Sequence, residues 1–305
     1  MIQAVVTRLG LVLLSLGLAA CTTTIPSKPM LTQPDGRITP HRGPVLKVMT
    51  LNLAHGRKDG VNQLFLGRSA IQNNVSDIAA VLGREDADVV ALQEADGPSR
   101  WSGGFDHVED LARKSGYATT LRAGHAVSWL FEYGTALLSK TPFKENLTHT
   151  FQPSPPTLNK GLILGQIIWQ PDPGSSQTVT VDIISVHLDF SRKKIREQQI
   201  EEVEGLLQAR DNPMIIMGDF NSDWFADEKV IRWMAKRSNL LVYRPKAVDL
   251  GTYGGSGRRL DWILISRDLY FIDYRVLPDN LSDHRAVIAI IGLNSITDFK
   301  ASKGG

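Results

Sequence analysis

From residue 45 to residue 293, short apolar runs alternate with longer amphipathic stretches. The short runs are rich in Val, Ile and Leu and are bounded by Gly, Pro, Asn or Asp, which predicts strands. The longer stretches have apolar residues near helical spacing, which predicts helices. The predicted strands span residues 46–52, 88–93, 135–139, 162–169, 179–187, 214–218, 261–266, 270–276 and 286–291, and the predicted helices 67–82, 107–115, 192–210 and 227–236. Because the strands are apolar on both faces, helices should cover the sheets of an α/β domain.

The first 20 residues have the pattern of a secretory signal peptide. Arg8 is their only charged residue, and an apolar run and two small residues separate it from Cys21. The run is short for a membrane-spanning helix, which needs about 20 apolar residues. The segment LAAC resembles the lipobox of bacterial lipoproteins, in which the cysteine is acylated and becomes the mature N-terminus. An ordinary signal peptide with a chance cysteine, or a buried apolar helix, is the alternative.

Thr22 follows the cysteine where some lipoproteins have Asp, and this resembles lipoproteins sorted to the outer membrane. We therefore expect a lipid-anchored protein of the bacterial cell envelope, on the outer membrane and facing the periplasm. Residues 21–44 are rich in Pro and Thr and predict a tether between membrane and domain. The predicted organisation is a signal peptide at 1–20, this tether, the α/β domain at 45–293 and a flexible tail at 294–305.

Composition limits the function classes. The chain has 305 residues, 42% hydrophobic and 22% charged, which is ordinary for a globular protein and excludes a disordered or multi-span membrane protein. Its 34 Lys and Arg against 32 Asp and Glu exclude a strongly basic nucleic-acid binder, but not an enzyme that acts on a phosphate ester. The single cysteine excludes an intramolecular disulfide and a cysteine-rich zinc site.

Polar side chains stand where apolar strands begin or end. They are Asn52, Glu94, His187, Asp219, Asn221, Asp261, Asp283 and His284. If these strand ends converge, carboxylates, amides and two imidazoles meet in one cluster. Oxygen ligands without thiols suit Mg²⁺, Mn²⁺ or Ca²⁺ rather than structural zinc. Histidines beside such an ion suit proton transfer and charge stabilisation while water attacks phosphorus.

Five of these residues also have a structural alternative. Asp219 and Asn221 suit a plain turn after a strand. His187 suits a hydrogen-bonded histidine of the core, Glu94 a capping residue, and Asn52 a purely structural amide. The chain contains no Walker-type glycine-rich loop, no GxSxG elbow and no HExxH helix, which counts against ATPases, serine hydrolases and zincins.

Seven segments occur in the order TLN, LQE, YGTALLS, SVHL, GDFN, LDWILIS and SDH. In this order they resemble the endonuclease/exonuclease/phosphatase superfamily, which includes DNase I-like nucleases, neutral sphingomyelinases and inositol-polyphosphate 5-phosphatases. The resemblance extends from residue 45 to residue 291. It implies a DNase I-like four-layer α/β sandwich, in which two mostly antiparallel mixed sheets pack face to face with helices outside.

The resemblance also implies roles for the clustered residues. Asn52 and Glu94 would hold the catalytic Mg²⁺, for which Mn²⁺ and Ca²⁺ are alternatives, with Glu94 as the principal ligand. Asp283 would be a second acidic residue near the ion.

Among the catalytic residues that the resemblance implies, His187 would contact the scissile phosphate. Asp219 would orient or deprotonate the attacking water, and Asn221 would steady it. His284 would stabilise the transition state or leaving group, with Asp261 as its carboxylate partner. A carboxylate that accepts from one ring nitrogen fixes the tautomer and favours the imidazolium, which agrees with this pairing.

Two further residues are candidates for substrate binding. His55 follows Asn52 closely and either reaches the substrate or lies in an exposed loop. Lys160 precedes Gly161 in a pair that resembles the family's basic residue and glycine, which places it near a phosphate. The other histidines, His41, His107, His125 and His149, are expected at the surface.

The sequence thus predicts a metal-dependent phosphoesterase or phosphodiesterase, with in-line attack by water. Its substrate stays open between a nucleic acid, a phospholipid head group and a small phosphate ester. Balanced charge disfavours the nucleic acid, and membrane anchoring favours a lipid or envelope phosphodiester. The alternative is a catalytically silent envelope lipoprotein that uses the same fold for binding. Nothing in the sequence implies a protein partner, and a monomer is expected.

Overall fold

A computed structural model describes residues 30–32, 38–60, 63–227 and 229–294. The predicted signal peptide, Cys21 and residues 295–305 lie outside the described residues. Among the helices that are described, none combines the length and the apolar character needed to cross a membrane.

Within the described ranges, the strands form two sheets. In chain order they are β1 (Met30–Thr32), β2 (His41–Arg42), β3 (Val45–Asn52), β4 (Val89–Asp96), β5 (Thr119–Val127), β6 (Glu132–Ser139), β7 (Asn146–Thr150), β8 (Gly161–Gln170), β9 (Val179–His187), β10 (Met214–Asp219), β11 (Leu240–Val242), β12 (Asp261–Ser266), β13 (Leu269–Val276) and β14 (Val287–Leu293). The first sheet has the order β1-β5-β6-β4-β3-β14-β13, and the second has β11-β12-β10-β9-β8-β2, with β7 also paired to β8. Most neighbours are antiparallel, while β3–β4, β9–β10 and β2–β8 are parallel.

The helices are α1 (Arg68–Glu85), α2 (His107–Ser115), α3 (Lys193–Leu207) and α4 (Val230–Arg237), with short 3-10 helices at Ala54–Gly56 and Gln63–Phe65. Asp106 caps the N-terminus of α2, where its carboxylate accepts from the backbone N–H of Glu109 at 3.0 Å. Gly116, with a φ of +81°, caps the C-terminus and stops the helix. This start and stop agree with the predicted bounds of the helix.

In each central strand, the side chains of successive residues pack into different hydrophobic cores. In β3, Val48 lies between the two sheets, while Met49 packs towards α1 and α2. In β10, Ile215 lies between the sheets and Ile216 packs towards α3 and α4. Side chains alternate across a strand, so each sheet needs apolar residues at every position to fill both faces. The layers are therefore helix, sheet, sheet and helix, and the predicted four-layer sandwich is confirmed.

All the predicted strands and helices are present; the bounds of β9, β12 and α2 are as predicted, and the others have shifted ends. The prediction missed β5, whose sequence TTLRAGHAV mixes polar residues, glycine and few branched apolar ones. It also missed the short strands β1, β2, β7 and β11. Strands β1 and β2 lie in the segment predicted as a tether, where β1 pairs with β5 and β2 with β8.

Candidate active site

The register of the second sheet brings three predicted site residues side by side. Asp219 at the end of β10 is paired with His187 at the end of the parallel strand β9. On its other side, Asp219 is paired with Asp261 at the start of the antiparallel strand β12. Gly218 precedes Asp219 with a φ of +147°, and a Cβ at this position would overlap the carbonyl oxygen of Val186. Only glycine therefore fits this close approach of β9 and β10.

Two amides hold the carboxylate of Asp219. Asn52 Nδ2 donates to Asp219 Oδ2 at 3.0 Å, and Asn221 Nδ2 donates to the same oxygen at 3.1 Å. The backbone N–H of Asn221 donates to Oδ1 at 2.8 Å, and Asn221 has a φ of +48°. Burial raises the pKa of Asp219 to about 7, although the charge of His284 opposes the rise. The carboxylate is thus oriented and basic enough to accept a proton near neutral pH.

His284 is paired with a buried carboxylate on the side away from Asp219. Its Nδ1 lies 2.8 Å from Asp261 Oδ2, and its Nε2 lies 3.9 Å from Asp219 Oδ2. Burial alone would lower the pKa of His284, but the charges of Asp261 and Asp219 outweigh it and raise this pKa to about 10. The ring of Tyr253 lies 5.1 Å from the imidazole. His284 is therefore an imidazolium at neutral pH.

The pKa of His187 is shifted in the opposite direction from that of His284. Its Nε2 lies 3.5 Å from Asp219 Oδ2 and 3.3 Å from the Nζ of Lys160. Burial and the nearby charge of Lys160 hold the pKa of His187 well below its usual value. His187 is therefore a neutral imidazole that lies between the base and a cation.

Glu94 reaches the site through an irregularity in β4. The pairing of β4 with β6 shifts between Gln93 and Ala95, and Glu94 has a φ of +49°. Burial alone would raise the pKa of Glu94, but the charges of His55, Lys160 and other cations outweigh it, and the pKa falls far below its usual value. The ionised carboxylate turns out of the sheet towards the cleft.

His55 lies between two carboxylates rather than in an exposed loop. Its Nε2 is 3.1 Å from Glu94 Oε2, and its Nδ1 is 2.9 Å from Asp96 Oδ1. The rings of Trp101 and Tyr133 pack against it, with ring centroids 5.1 and 5.2 Å away. Burial alone would lower the pKa of His55, but the charges of Asp96 and Glu94 outweigh it and raise this pKa.

Lys160 is buried beside His187, and its Nζ lies 5.1 Å from the ring centroid of Tyr133. Burial lowers the pKa of Lys160, while the charges of Glu94 and Asp219 oppose that shift. The ammonium thus faces the same cluster as the catalytic candidates.

Asp283 lies on the wall of the cleft and is paired with an arginine that the sequence analysis missed. Arg57 Nη2 lies 2.5 Å from Asp283 Oδ2, and Ser282 Oγ donates to Asp283 Oδ1 at 3.2 Å. Arg57 belongs to the loop after Asn52, where no motif marks it. Its closeness to His55 in the sequence is the only signal that would have pointed to it.

Two histidines that were expected at the surface are buried, so that expectation was wrong for them. His107 Nε2 lies 3.0 Å from the carbonyl oxygen of Ser102. His125 lies between the hydroxyls of Thr135 and Thr150, at 2.8 and 3.0 Å. Burial lowers the pKa of His125 to about 3, so it is a neutral residue of the packed interior.

A cleft of about 430 Å³ opens over the cluster. It is lined by Arg57, Glu94, His187, Phe190, Asp219, Asn221, Tyr253, Ser256, Arg258, Leu260, Asp283 and His284. Asn52 and Asp261 lie behind this surface, where they hold Asp219 and His284. The lining residues that the sequence analysis did not name come from loops, where apolar periodicity gives no signal.

Two sets of donors are candidates for holding a cation. One atom from each of Asp219, Asp261 and His284 lies within 4.8 Å of the others, but Asp261 and His284 already bond to each other. Glu94 offers an ionised carboxylate on the lining of the cleft. A hard divalent cation fits these oxygen donors, and Glu94 fits it best because binding there leaves the His284–Asp261 pair intact.

Comparison with known proteins decides the family. Residues 49–284 match the Endonuclease/Exonuclease/phosphatase family. The chain belongs to this family. A search of curated proteins found no match to the chain.

Several solved structures share the fold. An endonuclease/exonuclease/phosphatase from Beutenbergia cavernae superposes with a TM-score of 0.62 at 21% identity, covering 82% of this chain and 72% of that one. A mannosyl-6-phosphatase from Bacteroides thetaiotaomicron gives 0.58 at 18% identity, covering 81% and 99%. The human Nocturnin catalytic domain with bound sulfate gives 0.55 at 16% identity, covering 87% and 98%. At these identities the likeness shows the fold alone.

Proposed function

We propose that this family member is a divalent-metal-dependent phosphoesterase in which water attacks phosphorus in line. The observation that carries the proposal is the position of Asp219, with the His284 imidazolium on one side and the neutral His187 on the other. This arrangement places a base, an acid and a neutral hydrogen-bonding group within one cleft. Family membership supports phosphate-ester chemistry.

Asp219 is the proposed general base. Its Oδ2 already accepts hydrogen bonds from Asn52 and Asn221, which fix the carboxylate in the cleft. A pKa of about 7 leaves the carboxylate able to take a proton from water at neutral pH. A positioned base of this kind contributes roughly 10²- to 10⁴-fold in rate.

His284 is the proposed acid. Its imidazolium stabilises negative charge on the phosphate and donates a proton to the departing oxygen, while Asp261 keeps the ring in place. Lys160, beside His187, adds a positive charge for a phosphate oxygen. These side chains share the task of neutralising the charge that develops during the reaction.

Glu94 is the proposed principal ligand of the cation, with Asp283 on the same cleft wall. A bound Mg²⁺ or Mn²⁺ would supply charge neutralisation at the phosphate. Asn52 Oδ1 accepts from the backbone N–H of Ala54 at 2.9 Å, and its Nδ2 bonds Asp219. We therefore assign Asn52 chiefly to orienting Asp219, beside the metal role that the family resemblance implies.

The experiment is a substrate and metal panel. Bis-p-nitrophenyl phosphate, p-nitrophenyl phosphate, plasmid DNA, RNA, phospholipids and sugar phosphates are each offered with Mg²⁺, Mn²⁺ or Ca²⁺, and with a chelator. We expect metal-dependent turnover that Asp219→Asn lowers by about 100-fold or more. The control His149→Gln removes a histidine that pairs with Glu202 outside the cleft lining and should keep full activity.

The panel also chooses between the substrate classes and tests the alternative function. A neighbour named as a mannosyl-6-phosphatase supports including small phosphate esters beside nucleic acids and lipid head groups. If a folded wild-type protein turns over none of the substrates with any of the ions, the catalytically silent binding protein becomes the better account.

We also propose that Cys21 is acylated and anchors the protein in the outer membrane, facing the periplasm. The proposal is supported by the position of the chain's single cysteine after the LAA segment. Labelling with an alkyne fatty acid in bacteria tests it. Cys21→Ser should abolish both the label and membrane retention, and an unchanged label would contradict the anchor.

A further inference from the structure

The two ring nitrogens of His55 face two different carboxylates, those of Asp96 and Glu94. Asp96, which is fully buried, holds the Nδ1 of His55 at 2.9 Å and leaves the Nε2 facing Glu94 Oε2 at 3.1 Å. Asp96 Oδ2 has no hydrogen-bond partner among the described residues. A carboxylate on one ring nitrogen fixes the tautomer and orients the other nitrogen, as it does for histidines that bind metals.

The backbone is strained on both sides of this contact, in the 3-10 helix that carries His55 and in strand β4 that carries Glu94. Ala54 and His55 have φ values of +45° and +55°, and Glu94 has +49°. Non-glycine residues adopt this left-handed region seldom, and clusters of them mark functional sites. The rings of Trp101 and Tyr133 fix the imidazole between the two carboxylates.

We propose that His55 Nε2 is a direct ligand of the same divalent cation that Glu94 holds, and that Asp96 positions it. The inference rests on the metal dependence in the proposed function. Donor atoms that each lie about 2.1 Å from a shared cation are roughly 3 Å apart, which agrees with the 3.1 Å between Nε2 and Oε2. On binding, the cation takes the place of any proton on Nε2.

A nitrogen ligand changes which ion the site selects. Carboxylate and water ligands suit Mg²⁺ and Ca²⁺, whereas an imidazole raises the affinity for first-row transition metals. The site should therefore prefer Mn²⁺ and Co²⁺ to Mg²⁺. If His55 only held Glu94 by an ion pair, removing His55 would lower the affinity for all these ions to the same extent.

The experiment measures the bound ion rather than turnover. Pulsed electron paramagnetic resonance of the full chain with Mn²⁺ should show coupling to a histidine nitrogen, and ¹⁵N-histidine labelling should change that coupling. In His55→Gln the coupling should vanish, and the Mn²⁺ affinity should fall by about 10- to 100-fold more than the Mg²⁺ affinity. His187→Gln is the matched control, since His187 Nε2 lies 3.9 Å from Glu94 Oε1 on the other side, and it should keep the coupling.

Each outcome of this experiment either supports or overturns the assignment of His55 as a metal ligand. A wild-type Mn²⁺ spectrum without nitrogen coupling, or one whose coupling survives in His55→Gln and vanishes in His187→Gln, overturns the inference. If His55→Gln does not fold, the wild-type spectrum still tests the inference. So does Asp96→Asn, which should lower the Mn²⁺ affinity by about 10-fold. Nitrogen coupling in a protein that hydrolyses no phosphate ester would confirm the ligand and refute the proposed function.

Discussion

His284 Nδ1 lies 2.8 Å from Oδ2 of the fully buried Asp261. The pair holds the imidazolium so that its other nitrogen faces Asp219 across 3.9 Å. Asp261 does not line the cleft and acts on the reaction through its neighbours. Its charge stabilises the imidazolium of His284 and also contributes to the raised pKa of Asp219.

Asp261→Asn should lower turnover by about 100-fold, because the imidazolium loses the charge that stabilises it. The pKa of His284 is raised to about 10 by Asp261 and Asp219, against the effect of burial. The alkaline limb of the pH–rate profile should therefore move to lower pH in the variant. A profile of kcat against pH checks this, and an alkaline limb that stays in place would refute the pairing.

Asp219→Asn should lower turnover by about 100-fold or more and stabilise the apoprotein above pH 7. Burial raises the pKa of Asp219 to about 7, so folding favours its protonated form. This contribution to stability is fully present below the unfolded pKa of about 4 and is lost as the pH rises through 7. Thermal melting with a chelator at pH 8 should show a higher Tm for the variant than for wild type. The gain should shrink towards pH 4, and a lower Tm at pH 8 would contradict the raised pKa.

Gly218→Ala should destabilise the fold and disable the site. A Cβ there overlaps the carbonyl oxygen of Val186, and the φ of +147° is strained for any other residue. Forcing that geometry should cost about 2–4 kcal/mol of unfolding free energy. Urea denaturation measures it.

Gly205→Ala is the matched control for that substitution. Gly205 lies on α3, and a Cβ there would meet no atom of the described residues within 4 Å. Replacing it should stabilise the helix by about 0.5–1 kcal/mol. Equal effects of the two substitutions would contradict the role of the close approach between β9 and β10.

Lys160→Gln should raise KM or lower kcat by about 10- to 100-fold, because the ammonium next to His187 no longer meets the phosphate. Lys160→Arg should not restore full activity, since the planar guanidinium does not reproduce the compact point charge that the ammonium places beside His187. Steady-state kinetics on the best substrate of the panel measures both. Unaltered kinetics in Lys160→Gln would place Lys160 outside the reaction.

The residues at strand ends were predictable, and the loop residues were not. Asp219 and His187 terminate apolar runs, so the strand pattern placed each at the end of a strand, and the structure shows that these two strand ends are paired. The positive φ of Glu94 could not be predicted, because β4 continues through this residue and its sequence shows no irregularity there. Arg57 and Tyr253 reach the cleft from loops, where no periodicity constrains position. The burial of His125 depends on strand β5, and this strand was not predicted because its sequence contains too few apolar residues.

The most direct test of the central claim is a single turnover in H₂¹⁸O with Mn²⁺, on the best ester of the panel. Water attack on phosphorus places one ¹⁸O in the phosphate-containing product and none in the released alcohol, and Asp219→Asn should suppress both the turnover and the label. The account predicts this result. Label in the alcohol, or turnover that persists unchanged in Asp219→Asn or with a chelator, would contradict it.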